Sequence, residues 1–262
     1  MRRAILIFSA AFITGCAGTG TTPTSSSSAI PVSEQMPAGV AEKSAKTHTE
    51  LGALYLEAGN FAVALEESRY AAATDPNYAP AYNLMGLVHL MLNETSQAKG
   101  AFERAIQLAP SDPQIANDYG WFLCVSGREQ EAFKYFETAS RNPLYRTPTR
   151  PYTNAGLCYL RIKDDKSAEM NFQRAVLLDG SNAQATYHLA SLSYKRGDYF
   201  NAKKLLGELH KLIEPNAESL WLGVRIERKI GDRQAEAGYS SQLRRKFAGT
   251  PEHQALMQGK FE

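Results

Sequence analysis

Cysteine is scarce in this chain: three in 262 residues, at positions 16, 124 and 158. That is too few for a disulfide scaffold, and no C-x-x-C pair is present to hold zinc at the usual spacing. Long apolar runs are missing too. The longest is Ala4–Phe12, and the mean hydropathy of −0.36 excludes a polytopic membrane protein. Charge of one sign is not in excess, with 29 Lys and Arg against 27 Asp and Glu, so the basic surplus of a nucleic-acid binder is lacking. His48, His89, His188, His210 and His253 are scattered, with no H-E-x-x-H and no i,i+4 pair. There is no phosphate-binding G-x-x-x-x-G-K-[ST] and no G-x-S-x-G nucleophile elbow. No G-x-G-x-x-G follows a strand. These absences point away from an enzyme, a cofactor, a metal, a nucleic acid or a small-molecule substrate. A binding protein is what they leave.

The N-terminus reads as an export signal. Arg2 and Arg3 precede the nine-residue apolar stretch, which spans only about half of a ~30 Å hydrocarbon core. It runs into Ile13-Thr14-Gly15-Cys16, which resembles a bacterial lipobox. That pattern predicts a signal peptide over 1–15, cleavage before Cys16 and lipidation of its thiol. Ala17, rather than aspartate, then favours sorting to the outer membrane, periplasmic face, through a lipid anchor. Without Arg2 and Arg3 the remaining chain carries no formal net charge. The segment 16–44 is led by Gly, Thr, Ser and Pro, including Ser25–Ser28, and reads as a flexible linker with a reach of roughly 30 Å.

From about residue 45 the chain repeats with a period near 34 residues. Tyr82-x-x-Met85-Gly86-x-x-His89 is followed by Ala98-x-x-x-Phe102-x-x-Ala105 and Pro110. Tyr119-Gly120 with Ala132, Phe136 and Ala139, and Tyr152, Ala155-Gly156 with Ala168, Phe172 and Ala175, repeat it. This is the tetratricopeptide pattern of paired antiparallel helices. A small residue lets helix A approach helix B, and the Ala/Phe/Ala triplet of B interdigitates with it. One such unit cannot bury its own apolar face, so the array must stack. The spacing predicts an all-α, right-handed superhelical solenoid over 45–248. Its six repeats fall at about 45–78, 79–112, 113–148, 149–182, 183–215 and 216–248, with 249–262 as a C-terminal tail.

In such arrays the A helices line a concave surface through consensus positions 2, 5, 9, 12 and 13. Those positions nominate Asn83, Leu87, Leu90 and Met91 in the second repeat, and Asn117 and Trp121 in the third. Thr153, Leu157 and Leu160 follow in the fourth, then Tyr187 and Tyr194 in the fifth. Aromatic, apolar and amide side chains suit an extended or helical peptide. The row holds few Lys or Arg, so a clamp for carboxylates is not expected. Asp164-Asp165 is expected to cap a helix, and Arg244-Arg245-Lys246 to decorate a helix end. Cys124 and Cys158 lie one repeat apart near the ends of adjacent A helices. They are either a disulfide or two buried small hydrophobes, depending on whether their Cα atoms approach to 4.4–6.8 Å.

Some segments are more particular than the repeat consensus. Asn117-Asp118-Tyr119-Gly120-Trp121-Phe122-Leu123-Cys124, the Asn142-Pro143-Leu144-Tyr145 connector and Asn154-Ala155-Gly156-Leu157-Cys158 resemble the type IV pilus biogenesis lipoprotein family PilF/PilW. So do Ser219-Leu220-Trp221-Leu222-Gly223-Val224-Arg225-Ile226, Leu243–Phe247 and Pro251-Glu252. The resemblance implies a pilotin, an outer-membrane lipoprotein that assists localisation, multimer assembly or stability of the type IV pilus secretin. A general periplasmic scaffold lipoprotein for envelope or cell-wall assembly machinery has the same lipobox and repeats. So does a recruiting subunit of an envelope enzyme.

Overall fold

The computed structural model describes residues 31–261. The signal segment, Cys16 and the first part of the linker lie outside the described residues. Every regular element described is helical: a 3-10 turn at Val32–Glu34 and thirteen α-helices. Six consecutive hairpins carry the repeats. They are α1 (Val40–Glu57) with α2 (Phe61–Thr74), α3 (Ala79–Met91) with α4 (Thr95–Leu108), and α5 (Pro113–Val125) with α6 (Glu129–Ser140). After these come α7 (Thr149–Arg161) with α8 (Asp165–Leu178), α9 (Ala183–Lys195) with α10 (Tyr199–Leu212), and α11 (Ala217–Ile230) with α12 (Arg233–Lys246).

Local chemistry sets the helix ends. Asn60, Asp112, Asp164, Asn182, Asp198, Asn216 and Asp232 each accept the backbone N–H three residues on, which satisfies a donor that the first turn leaves free. Asp164 is thus the cap expected of it, and its neighbour Asp165 pairs with Lys195. The A-to-B turn needs one left-handed residue. Gly127 supplies it in the third repeat at φ 79°, whereas Lys163 takes the same conformation in the fourth at φ 61°.

Within a hairpin the small residue of A lies against the aromatic of B. A methyl group on Gly86, Gly120 or Gly156 would come within 2.6–2.9 Å of the ring of Phe102, Phe136 or Phe172. The alanines at 64, 98, 132, 168 and 202 are fully buried, as are Phe102 and Phe172. This is close packing fixed by composition, repeat after repeat. The fifth repeat substitutes Ala190 and Leu206 for the Gly/Phe pair and keeps both buried.

Two stretches outside the repeat pattern also pack. The long connector after α6 tucks in Tyr145, which is 4% exposed and donates its hydroxyl to Gln114 Oε1 at 3.0 Å. Burial pushes that phenol up to about 12. The stretch read as a tail contains α13 (Pro251–Met257), capped by Thr250. Its Leu256 joins Leu220, Val224 and Leu243, covering the apolar face that α11 would otherwise expose at the end of the array.

Candidate partner-binding groove

Successive A helices pack side by side, α1 on α3, α3 on α5 and α5 on α7, and their outer faces line the groove. The nominated residues divide by position along these helices. Leu87, Leu90, Trp121, Leu157, Leu160, Tyr187 and Tyr194 are half-buried, with one flank against the core clusters. Met91 is 57% exposed. Together they form an apolar and aromatic row with surface left for a partner.

Asn83, Asn117 and Thr153 behave differently. They are nearly or fully buried, and their side chains join neighbouring A helices instead of facing a peptide. Asn83 Nδ2 donates to Asp118 Oδ2 at 2.9 Å, and Asn154 Nδ2 to Asn117 Oδ1 at 3.0 Å. Thr153 Oγ1 accepts from Asn182 Nδ2 at 3.0 Å and donates to the Thr149 carbonyl. The reason is geometric: in the second to fourth repeats the side chain at this position points into the crevice between two A helices, where a short polar group finds a partner, whereas the fifth repeat carries the half-buried Tyr187 there. Asp118, which the sequence reading passed over, is the hub. Its carboxylate also accepts from Gln114 Nε2 at 2.7 Å and lies 3.4 Å from Arg150 Nη2. Such a buried polar network specifies the angle between repeats.

The segment just before α1 lies over the first half of the groove. Val32 N–H donates to Asp112 Oδ2 at 2.6 Å, and its side chain packs beside Ala45, Tyr78 and Ala81. Glu34 pairs with Arg146 at 2.8 Å, and Lys46 Nζ donates to the Gln35 carbonyl. Burial raises the Asp112 carboxyl above its ordinary range, although the Ile115 and Val32 amides stabilise the anion. Beneath Ser33 lies a cavity of about 160 Å³ lined by Asn83, Leu87 and Asp118, among others.

Cys124 and Cys158 are both fully buried and form a disulfide, with Cα atoms 5.8 Å apart. It joins the ends of α5 and α7 beneath the groove floor. His89 is buried and its Nδ1 lies 2.6 Å from Glu94 Oε2, a structural contact at the end of α3. Among the described residues no three His, Cys, Asp or Glu side chains stand together as a metal site, and no helix is long and apolar enough to cross a membrane.

Tetratricopeptide repeat families match residues 49–113, 83–144 and 149–182. The chain is 30% identical to the type IV pilus assembly protein PilF of Pseudomonas aeruginosa over 207 residues, 79% of this chain and 82% of that protein. The solved structure of Pseudomonas aeruginosa PilF superposes with a TM-score of 0.75 at 28% identity, covering 84% of this chain and 99% of that one. That of PilW, described as a widely conserved type IV pilus biogenesis factor, gives 0.75 at 26% identity, covering 81% and 98%.

Proposed function

Since the chain belongs to the PilF/PilW family of tetratricopeptide-repeat type IV pilus biogenesis proteins, we propose that it is a pilotin, a lipid-anchored outer-membrane protein that holds a segment of the pilus secretin on its concave face. The coarser part of this, a pilus-related protein-interaction scaffold, follows from the family and the fold. The finer part rests on two observations. The nominated aromatic and apolar residues form a continuous half-buried row along α3, α5, α7 and α9, and the lipobox ending at Cys16 supplies a means of anchoring.

The mechanism is capture and positioning. Acyl chains on Cys16 would contribute about 0.8 kcal/mol per buried methylene, so several together anchor the chain stably without a spanning helix. The groove would then concentrate secretin subunits at the membrane where they multimerise. Cys16→Ala is expected to leave the repeats folded and move the protein to the soluble fraction. Retention of that variant in washed outer membranes would overturn the anchor.

The groove itself is tested by complementing a deletion strain. The deletion should lose secretin multimers and surface pili while other outer-membrane proteins persist. Trp121 is the large aromatic in a central repeat, and truncating such an anchor typically costs about 2 kcal/mol, a roughly thirtyfold loss of affinity. Trp121→Ala should therefore fail to restore multimers while its melting temperature stays close to that of the parent. A variant that melts far earlier would show that Trp121 is core. One that stays folded and restores multimers would place the secretin segment elsewhere.

A further inference from the structure

The far end of the groove is built differently from the rest. On α11, Trp221, Arg225 and Arg228 stand at i, i+4 and i+7, so they share one face. The Arg225 guanidinium lies near two rings, with its carbon 5.0 Å from the centre of Tyr194 and 5.7 Å from that of Trp221. Its Nε is buried and has no hydrogen-bond partner. No carboxylate forms an ion pair with it among the described residues. After α13 the chain turns back so that Phe261 stacks on Trp221 at 5.5 Å and lies 3.9 Å below the Arg228 guanidinium. Arg228 is held by Glu236 at 2.9 Å, whereas Lys229 and Lys260 have no ion pair among the described residues. Tyr194, Arg225, Arg228, Lys229 and residues 259–261 line an open cavity of about 730 Å³, and Trp221 stands behind Phe261 at its edge.

A guanidinium held by aromatic rings keeps its edge, a planar fork of N–H donors shaped for a carboxylate. A buried N–H without a partner is costly, and a ligand oxygen would remove that cost. The nearby anions do not serve. Glu236 is engaged by Arg228, and no described carboxylate pairs with Arg225.

We propose that this end of the groove is a subsite for a peptide carboxylate, either a chain terminus or an Asp or Glu side chain, flanked by an apolar residue. Arg225 receives the carboxylate, and Tyr194 and Phe261 receive the neighbouring side chain, with Trp221 in contact with Phe261 and so placed to report the binding. The nominated row itself holds few Lys or Arg; the cations at this end come from the last A helix and from beyond the last repeat. The position argues for a peptide over a lipid headgroup. The cavity is walled by residues 259–261 and shares Tyr194 with the nominated groove row, so an occupant of that row would run into it. The inference rests on the concave face being the partner face, and not on which partner is bound.

The chain has only two tryptophans, so fluorine NMR of the full chain in detergent micelles, labelled with 5-fluorotryptophan, reads the two halves of the groove separately. The probes are Ac-Gly-Ser-Gly-Phe with a free terminus, the same peptide amidated, and amidated Ac-Gly-Asp-Phe, each at millimolar concentration. The Trp221 signal should shift with the free-terminus peptide or with the Asp peptide, which tells the two carboxylate sources apart, and not with the amidated control. Arg225→Gln should weaken that response about tenfold or more with unchanged melting, and Arg225→Lys should restore only part of it because the fork is lost. No shift of Trp221 with either carboxylate, or an equal shift with the amidated control, overturns the proposal. Movement of Trp121 alone would overturn it too while leaving the groove as the partner face. A Trp221 response to phosphatidylglycerol vesicles and not to peptides would make the site a lipid contact and overturn the peptide assignment.

Discussion

Replacing Cys124 and Cys158 together with alanine is expected to destabilise the domain by about 3–4 kcal/mol. The bond closes a loop with a sequence separation of 34 residues, and the chain-entropy relation for a loop of that size gives a value in this range. For a domain of this length that corresponds to a fall in melting temperature of roughly 10 °C. Because both cysteines are fully buried and shielded from an attacking thiolate, the parent would be reduced with dithiothreitol in denaturant and refolded, and this should reproduce most of the loss. Urea unfolding of the parent, oxidised and reduced, and of the double variant would test this. If all three have the same midpoint, the bond adds nothing to stability. Mass analysis after alkylation in denaturant would establish whether the thiols are joined in the purified protein.

Gly156→Leu should cost about 3 kcal/mol, near the upper end of what overpacking a core imposes. Even a methyl group here would lie 2.6 Å from a ring carbon of Phe172, and that ring is fully buried with nowhere to move. Helices α7 and α8 must separate to admit a larger side chain, and amide exchange in both should rise before it does elsewhere. The compensating pair Gly156→Ala with Phe172→Leu should recover part of the loss suffered by Gly156→Ala alone, because it returns volume at the same contact. Unchanged unfolding of Gly156→Leu would mean that the two helices do not meet at this glycine.

The repeats were legible because close approach leaves few residue choices. Glycine or alanine on one helix and an aromatic on the next recur wherever the backbones nearly touch. The polar row was misread for a related reason. Asn83, Asn117 and Thr153 look like surface residues, and only their pairings with the next repeat, such as that of Asn83 with Asp118, 35 residues on, show that they fill a crevice. A pattern within one repeat carries no information about the rotation between repeats. The closing helix was within reach of sequence reasoning, since Thr250-Pro251 is a helix start and Leu256 an apolar residue on the following turns. The seat of Val32 on Asp112 was not, because a single hydrogen bond from a linker amide leaves no mark on composition.

That seat changes how the array responds to load. A solenoid is normally a chain of nearest neighbours, each joint free to flex a little. Here the residues before α1 reach Lys46 in the first repeat, Asp112 at the start of the third and Arg146 in the connector before the fourth. They act as a brace along the inside of the curve. Two successive joints, from the first repeat to the third, are thereby tied to one segment and stiffen together, and the disulfide holds the next joint, between the third and fourth repeats. The remaining compliance lies beyond Arg161, so a partner that bends the molecule would do so by swinging the end that carries Arg225.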